Sequence, residues 1–208
     1  MRSDVLIVAR PGRSPDIDCA GGLTARRTEP GTVHLVSAAA TPLGGDAIRI
    51  RVVVEAGARL TVRTAAATVA LPGAATVESH AHWTLEVAGT LDLDPEPTIV
   101  AGPSRHVTST RLLLTDGASV RLRERVQIGR TGERQGYWSG ALHGDVDGVA
   151  LLRHRVELGA GSPADDAIAA PLACVSELHY PAPTADTAGL PMALAGGGCL
   201  ATWLGERL

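Results

Sequence analysis

The chain has 208 residues, 45% of them apolar and 20% charged, the composition of one folded domain that buries roughly 70% of its unfolded surface. Its net charge of −3 lends nothing to a nucleic-acid or anionic-membrane partner. Lysine is missing altogether, which excludes a P-loop and lysine-based Schiff-base or general-base chemistry in this chain.

The first 32 residues carry one clear signal, the apolar run Val5–Ala9. It is too short for a signal-peptide core, so the expected compartment is the cytoplasm. From residue 33 to about 160 the pattern is that of strands. Ile48, Ile50, Val52 and Val54 share one strand face, with Arg49, Arg51 and Val53 on the other. Ala56-Gly57-Ala58 interrupts the alternation, which resumes with Leu60 and Val62 against Arg59, Thr61 and Arg63. This reads as a β-hairpin or corner with one dry and one wet face.

The same pattern returns at Leu85–Leu93 and Leu112–Arg123, and more weakly at Asp147–Arg155. The turn glycines Gly57, Gly89, Gly117 and Gly148 recur at a period of about 30 residues, as stacked β layers would require. The expectation is a single all-β domain of layered β-hairpins, either β-helix/solenoid-like or sandwich-like. A few short helices are expected in 165–175 and near the C-terminus, within a C-terminal portion spanning 161–208. The stretch Thr187–Gly205 is uncharged and near the length of a membrane span. Pro191 and several glycines break it as a helix, so it reads as a buried terminal segment.

Chemistry-bearing residues are sparse. Arg121, Arg123 and Arg125 line one strand face, either solvated or an interface for a protein partner. Opposite them Glu124 stands among Val120, Leu122, Val126 and Ile128, where a carboxylate needs a partner or a water-filled space. His80 and His82 at i, i+2 share a strand face and could reach one metal ion. Asp92 and Asp94 share a strand face just before Pro95 and read either as a carboxylate pair or as a solvated strand end. Cys19, Cys174 and Cys199 are too scattered for a disulfide framework or a zinc site. The five aromatic residues offer little platform for sugars or single-stranded nucleic acid. No GxSxG elbow is present.

Four segments in series resemble the urease accessory protein UreD (UreH) family. Pro42–Ile50, "PLGGDAIRI", is similar to its Gly-Gly-x-x-Gly-Asp block, through Gly44, Gly45 and Asp46. Leu60–Val69, "LTVRTAAATV", resembles the strand ending Thr-Thr-x-Ala-Ala-Thr, through Thr64. Leu91–Val100, "LDLDPEPTIV", resembles the Pro-x-x-Thr-Ile segment, through Pro95 and Thr98. Ile128–Trp138, "IGRTGERQGYW", is similar to a Gly-Arg…Gly-Glu segment with shorter spacing, through Gly129, Arg130, Gly132 and Glu133. The N-terminal 32 residues align poorly, and the chain is shorter than usual for the family.

The resemblance implies a β-rich, non-enzymatic maturation factor that binds UreF and, through it, the GTPase UreG, and that docks on apo-urease during nickel delivery. No tightly bound cofactor is implied; nickel would be transient. Asp46, Glu124 and Glu133 are the carboxylates expected nearest a nickel path, with His80 and His82 as further metal candidates. Two other readings stand beside it. One is a carbohydrate-active β-solenoid enzyme using Asp92, Asp94 and Arg130. The other is a structural β-repeat protein that presents the arginine stripe to a partner.

Overall fold

A computed structural model describes residues 1–166, 170–182 and 189–208. The N-terminal part forms β1 (Arg2–Ala9), β2 (Asp16–Ala20), β3 (Leu23–Glu29) and β4 (Thr32–Ser37). Two three-strand coils follow: β5 (Ala47–Val54), β6 (Arg59–Thr64) and β7 (Thr68–Ala70), then β8 (Glu78–Val87), β9 (Thr90–Leu93) and β10 (Thr98–Val100). A third coil uses β11 (Arg105–Leu114) and the longer β12 (Ser119–Ile128). The chain continues through β13 (Tyr137–Val146), β14 (Val149–Gly159), β15 (Ala173–Tyr180), β16 (Leu190–Ala193) and β17 (Cys199–Gly205).

These strands make two facing sheets. Sheet A has seven strands in the order β14-β13-β11-β8-β5-β1-β2. Sheet B has ten, along the path β16-β17-β15-β12-β9-β6-β4-β3, with β10 and β7 added beside β12. The strands β5, β8, β11 and β13 are parallel, as are β4, β6, β9 and β12. Each coil therefore climbs one strand width as the chain alternates between sheets. The structure has both the stacking of a solenoid and the two-layer core of a sandwich.

The first three glycine-centred units are arches and not hairpins. Their two strands lie in opposite sheets, β5 with β6, β8 with β9 and β11 with β12. Only the fourth unit is a hairpin: Val146 pairs with Val149 across Asp147-Gly148, and both turn residues have positive φ, as a two-residue Asp-Gly turn requires. Asp116-Gly117 carries the same dipeptide yet sits in an arch. There β11 is already flanked by β8 and β13, and β12 by β9 and β15, so neither strand has a free edge to offer the other.

The arches stack on one another through backbone hydrogen bonds, from Thr90 N to Ala58 O and from Ser119 N to Gly89 O, both 2.9 Å. Gly89 lies directly beneath the preceding turn, where a Cβ would sit 2.3 Å from Ala58 O and 2.5 Å from Glu55 O. Only a residue without a side chain permits that approach.

In-register stacking places like residues side by side. Val62, Leu93, Leu122, Leu178 and Leu200 form one row across sheet B. Val52, Leu85 and Leu112 form its counterpart on sheet A. All are buried and belong to one large apolar cluster between the sheets. A smaller cluster, including Val126, Ile128, Trp138 and Leu158, packs at the other end of the strands.

No helix occurs among the described residues. Of the segment 165–175 expected to be helical, Ala173–Val175 belong to β15, while 167–169 lie outside the described residues. The C-terminal helix is likewise replaced by strands β16 and β17, whose alternation extends sheet B. No described helix is long and apolar enough to cross a membrane.

Candidate functional site

Between the two apolar clusters the inner faces carry smaller and more polar residues. Ala81, Thr108 and Gly140 lie side by side on sheet A, facing Glu124, Ser176 and Thr202, which form one row on sheet B. Rows of small side chains cannot fill the space between sheets spaced about 10 Å apart. A cavity of about 290 Å³ results. Its lining runs from Leu23 and Leu35 at the β3–β4 side to His154 and Leu200 at the β14–β17 side, across the stacked coils.

Two carboxylates line this cavity, Glu124 set between the sheets and Glu96 at an exposed edge. Glu124 Oε1 accepts a hydrogen bond of 2.9 Å from Thr108 Oγ1, which bridges the two sheets. Protein surrounds the carboxyl, yet the residue keeps accessible surface because that surface faces the cavity. Burial pushes its pKa up to about 7, against the smaller opposite effect of the Thr108 bond. Near neutral pH the group is thus divided between its charged and neutral forms.

Its neighbours stay neutral. His106, 2% exposed, shares a 2.9 Å hydrogen bond with Ser79 through Nδ1, and burial followed by the nearby His80 pulls its pKa down to about 4. Burial also lowers that of His154, whose Nε2 lies 3.3 Å from Ser176 Oγ. Burial, then the charge of Glu124, pushes the Cys174 thiol up to about 12, so no thiolate forms there. Trp138 Nε1 is buried without a protein partner among the described residues. Among these residues no group of three or more His, Cys, Asp and Glu side chains converges to hold a metal ion.

The segments that carry the family resemblance gather around this cavity. Thr64 and Thr68, then Pro95 and Thr98, line it directly, and Thr64 Oγ1 accepts from Glu96 N at 2.9 Å to tie successive coils together. Gly44 and Gly45 shape the adjoining corner. A Cβ on Gly44 would meet Thr76 O at 1.8 Å, and Gly45 has a φ of +91°. Asp46 holds that corner from within, accepting from Leu43 N at 2.8 Å, from Thr41 Oγ1 at 2.9 Å and from the Met1 amino group. Burial raises its pKa, but these three donors outweigh burial and hold it below the usual carboxylate range.

Glu133 stands apart from the cavity lining. It accepts from Gly102 N at 3.2 Å and Arg130 N at 3.0 Å, and pairs with the Arg130 guanidinium. Those bonds pull its pKa down to about 2, the Arg130 side chain contributing most. Gly129 lies under the same loop, where a Cβ would sit 2.2 Å from Glu133 O, and Gly132, with a φ of +83°, turns the loop in open space. His80 and His82 point outward from sheet A with rings stacked at 6.0 Å. His80 reaches Glu78 at 3.1 Å and His82 reaches Ser109 at 2.7 Å. The structure therefore separates the three carboxylates, with Glu124 in the cavity, Asp46 in its corner and Glu133 in an outer loop.

The arginine stripe lies on the outer face of sheet B and is neutralised by this chain's own acids. Arg121 pairs with Asp92, Asp94 and Glu177, Arg125 with Asp94, and Arg63 with Asp92. Glu177 is 4% exposed and also accepts from His179 at 2.7 Å. Asp92 and Asp94 are therefore structural counter-ions, while Arg130 is held by Glu133. Sequence reasoning singled out Glu124 but missed Thr108, Ser176 and His154, because ordinary residues become cavity-lining only through the sheet opposite.

The model of the UreD urease accessory protein family matches residues 20–200. The chain is similar to urease accessory protein UreD of Frankia alni, 46% identical over 158 residues that cover 72% of this chain and 53% of the relative. It is also similar to urease accessory protein UreD 1 of Saccharopolyspora erythraea, 40% identical over 190 residues, covering 87% of this chain and 74% of the relative. A third, from Streptomyces coelicolor, is 35% identical over 178 residues, covering 78% of this chain and 68% of the relative. The chain thus spans about half the length of the Frankia relative and about three quarters of the Saccharopolyspora one. With that extent of match, the chain belongs to the UreD urease accessory protein family.

Proposed function

We propose that this chain is a non-enzymatic scaffold of urease maturation that binds UreF and apo-urease and passes nickel toward the urease active site. GTP hydrolysis resides in UreG, recruited through UreF, consistent with a lysine-free chain that cannot form a P-loop. The chain works in the cytoplasm and keeps no resident cofactor. Nickel is cargo.

The observation that carries this reading is the cavity between the sheets with Glu124 inside it. A cluster of imidazoles and thiolates would trap Ni²⁺. Glu124, placed between the sheets near hydroxyls and neutral imidazoles and apart from the exposed Glu96, gives an ion an anionic stepping point and lets it leave. The Thr108 hydroxyl orients that carboxylate across the gap. The place of Thr64, Pro95 and Thr98 of the family segments in the same lining also supports the reading.

The test is direct. In cells lacking this chain, urease should accumulate without nickel, and a tagged copy should restore nickel content and recover UreF and apo-urease. Normal urease maturation in the deletion strain would end the proposal.

A further inference from the structure

The outer face of sheet A presents a second set of arginines, and this set is only partly matched. Arg49, His82, Ser109, Ala141 and Arg155 lie in one row across β5, β8, β11, β13 and β14. The next row is Arg51, Thr84, Arg111, His143 and Arg153. At strand spacings of about 4.8 Å the belt is about 19 Å long, and its two rows lie about 7 Å apart.

Three of its arginines are tied down within the chain, Arg51 to Glu86 at 2.7 Å, Arg153 to Asp145 at 2.5 Å and Arg155 to Glu157 at 2.6 Å. Arg49 and Arg111 are exposed and make no ion pair or hydrogen bond among the described residues. Between them lie His82 and Thr84 of β8, beside Ser109 of β11. Burial first, then the charges of His80 and Arg49, hold His82 below the ordinary histidine range.

We propose that this face, anchored by Arg49 and Arg111, docks a carboxylate-bearing surface of a protein partner. The inference rests on the scaffold reading above and says which side of the scaffold grips. The charge pattern selects the occupant. Two free guanidiniums set about 12 Å apart on the sheet, by the spacings above, fit two discrete carboxylates. Asp4, Glu86, Asp145 and Glu157 rim the belt and would repel the continuous negative charge of a nucleic acid. Nor is there an open stacking platform, since the Tyr137 ring is capped by Arg105 at 3.8 Å. Sheet B also leaves Arg26 of β3 and Arg59 of β6 exposed without an ion pair or hydrogen bond among the described residues, whereas its Arg121 and Arg125 are paired.

The test uses purified UreF and apo-urease against the full chain at low and high salt. Arg49→Glu/Arg111→Glu should weaken binding to one of these proteins 10- to 100-fold and remove most of its salt dependence, while Arg49→Lys/Arg111→Lys stays within a few-fold of the parent. Thermal melting of the lysine variant should match the parent, and the charge-reversed variant should melt only slightly lower, since Arg49→Glu faces Asp4 in the β1–β5 register. Unchanged binding of the charge-reversed variant to every partner that the parent binds overturns the docking proposal alone. Should the parent bind neither protein, the scaffold reading falls and takes this proposal with it. A parent that binds a 20-nucleotide RNA tightly through the same two arginines would also overturn it.

Discussion

Replacing Glu124 by Gln separates the cost of the cavity carboxylate from its use. The amide keeps an acceptor for the Thr108 hydroxyl and nearly the same volume, but carries no charge. In the folded chain the carboxyl pKa stands at about 7, above its ordinary 4.5. Below pH 4.5 both folded and unfolded states hold the proton, and the group contributes nothing to the pH dependence. Between 4.5 and 7 the unfolded chain gives up its proton first, so stability falls as pH rises. Above 7 the full penalty is present. At 1.36 kcal/mol per pKa unit the penalty is at most about 3 kcal/mol, and contact with a wet cavity reduces it toward 1.

Glu124→Gln should therefore be about 1–3 kcal/mol more stable than the parent at pH 8 and equal to it at pH 4, measured by urea denaturation at both values. In cells it should lower the nickel content of urease several-fold while UreF still co-purifies. A variant no more stable than the parent at pH 8 would refute the burial of this charge. One that is stabilised yet matures urease fully would refute its part in nickel transit.

Other expectations follow from the same geometry. His106, held neutral with a pKa near 4, costs stability as pH falls from 6.5 to 4, by up to about 3 kcal/mol; His106→Gln should flatten this acid limb, and an unchanged limb would contradict it. Gly89→Ala forces a Cβ against Ala58 O and should destabilise by about 2–3 kcal/mol. Gly117→Ala, with a φ of +82° but open space around it, should cost about 1 kcal/mol; equal losses in thermal melting would undo the stacking argument. Asp94→Ala leaves Arg121 and Arg125 short of a counter-charge and should cost about 1–3 kcal/mol, readable as a lower urea midpoint at unchanged m-value.

Much of the fold is written in local alternation. Ile48–Val54 and Leu60–Val62 declare which strand face is dry because the side-chain period of a strand is 2, and the recurring glycines declare that the units stack. Glu124 announces itself as a carboxylate on an apolar face. His80 and His82 share a face by the same rule, and Ala81, Leu85 and Val87 turn the opposite one inward.

What alternation cannot specify is the partner across the gap. The two halves of an arch read like a hairpin, because the pattern marks a buried face without saying which strand's edge bonds to which. Only the filling of β11 and β12 edges by their neighbours decides it. The arginine stripe of β12 resembled a binding face until acids from 27 to 56 residues away neutralised it. The cavity is likewise a property of two sheets together: Thr108 and Gly140 are unremarkable in their own strands, and they leave room for Glu124 only because the fold sets them opposite it. Composition and periodicity thus determined the elements and their dry faces, whereas charge pairing and empty volume, which depend on residues far apart in the chain, were decided by the tertiary structure.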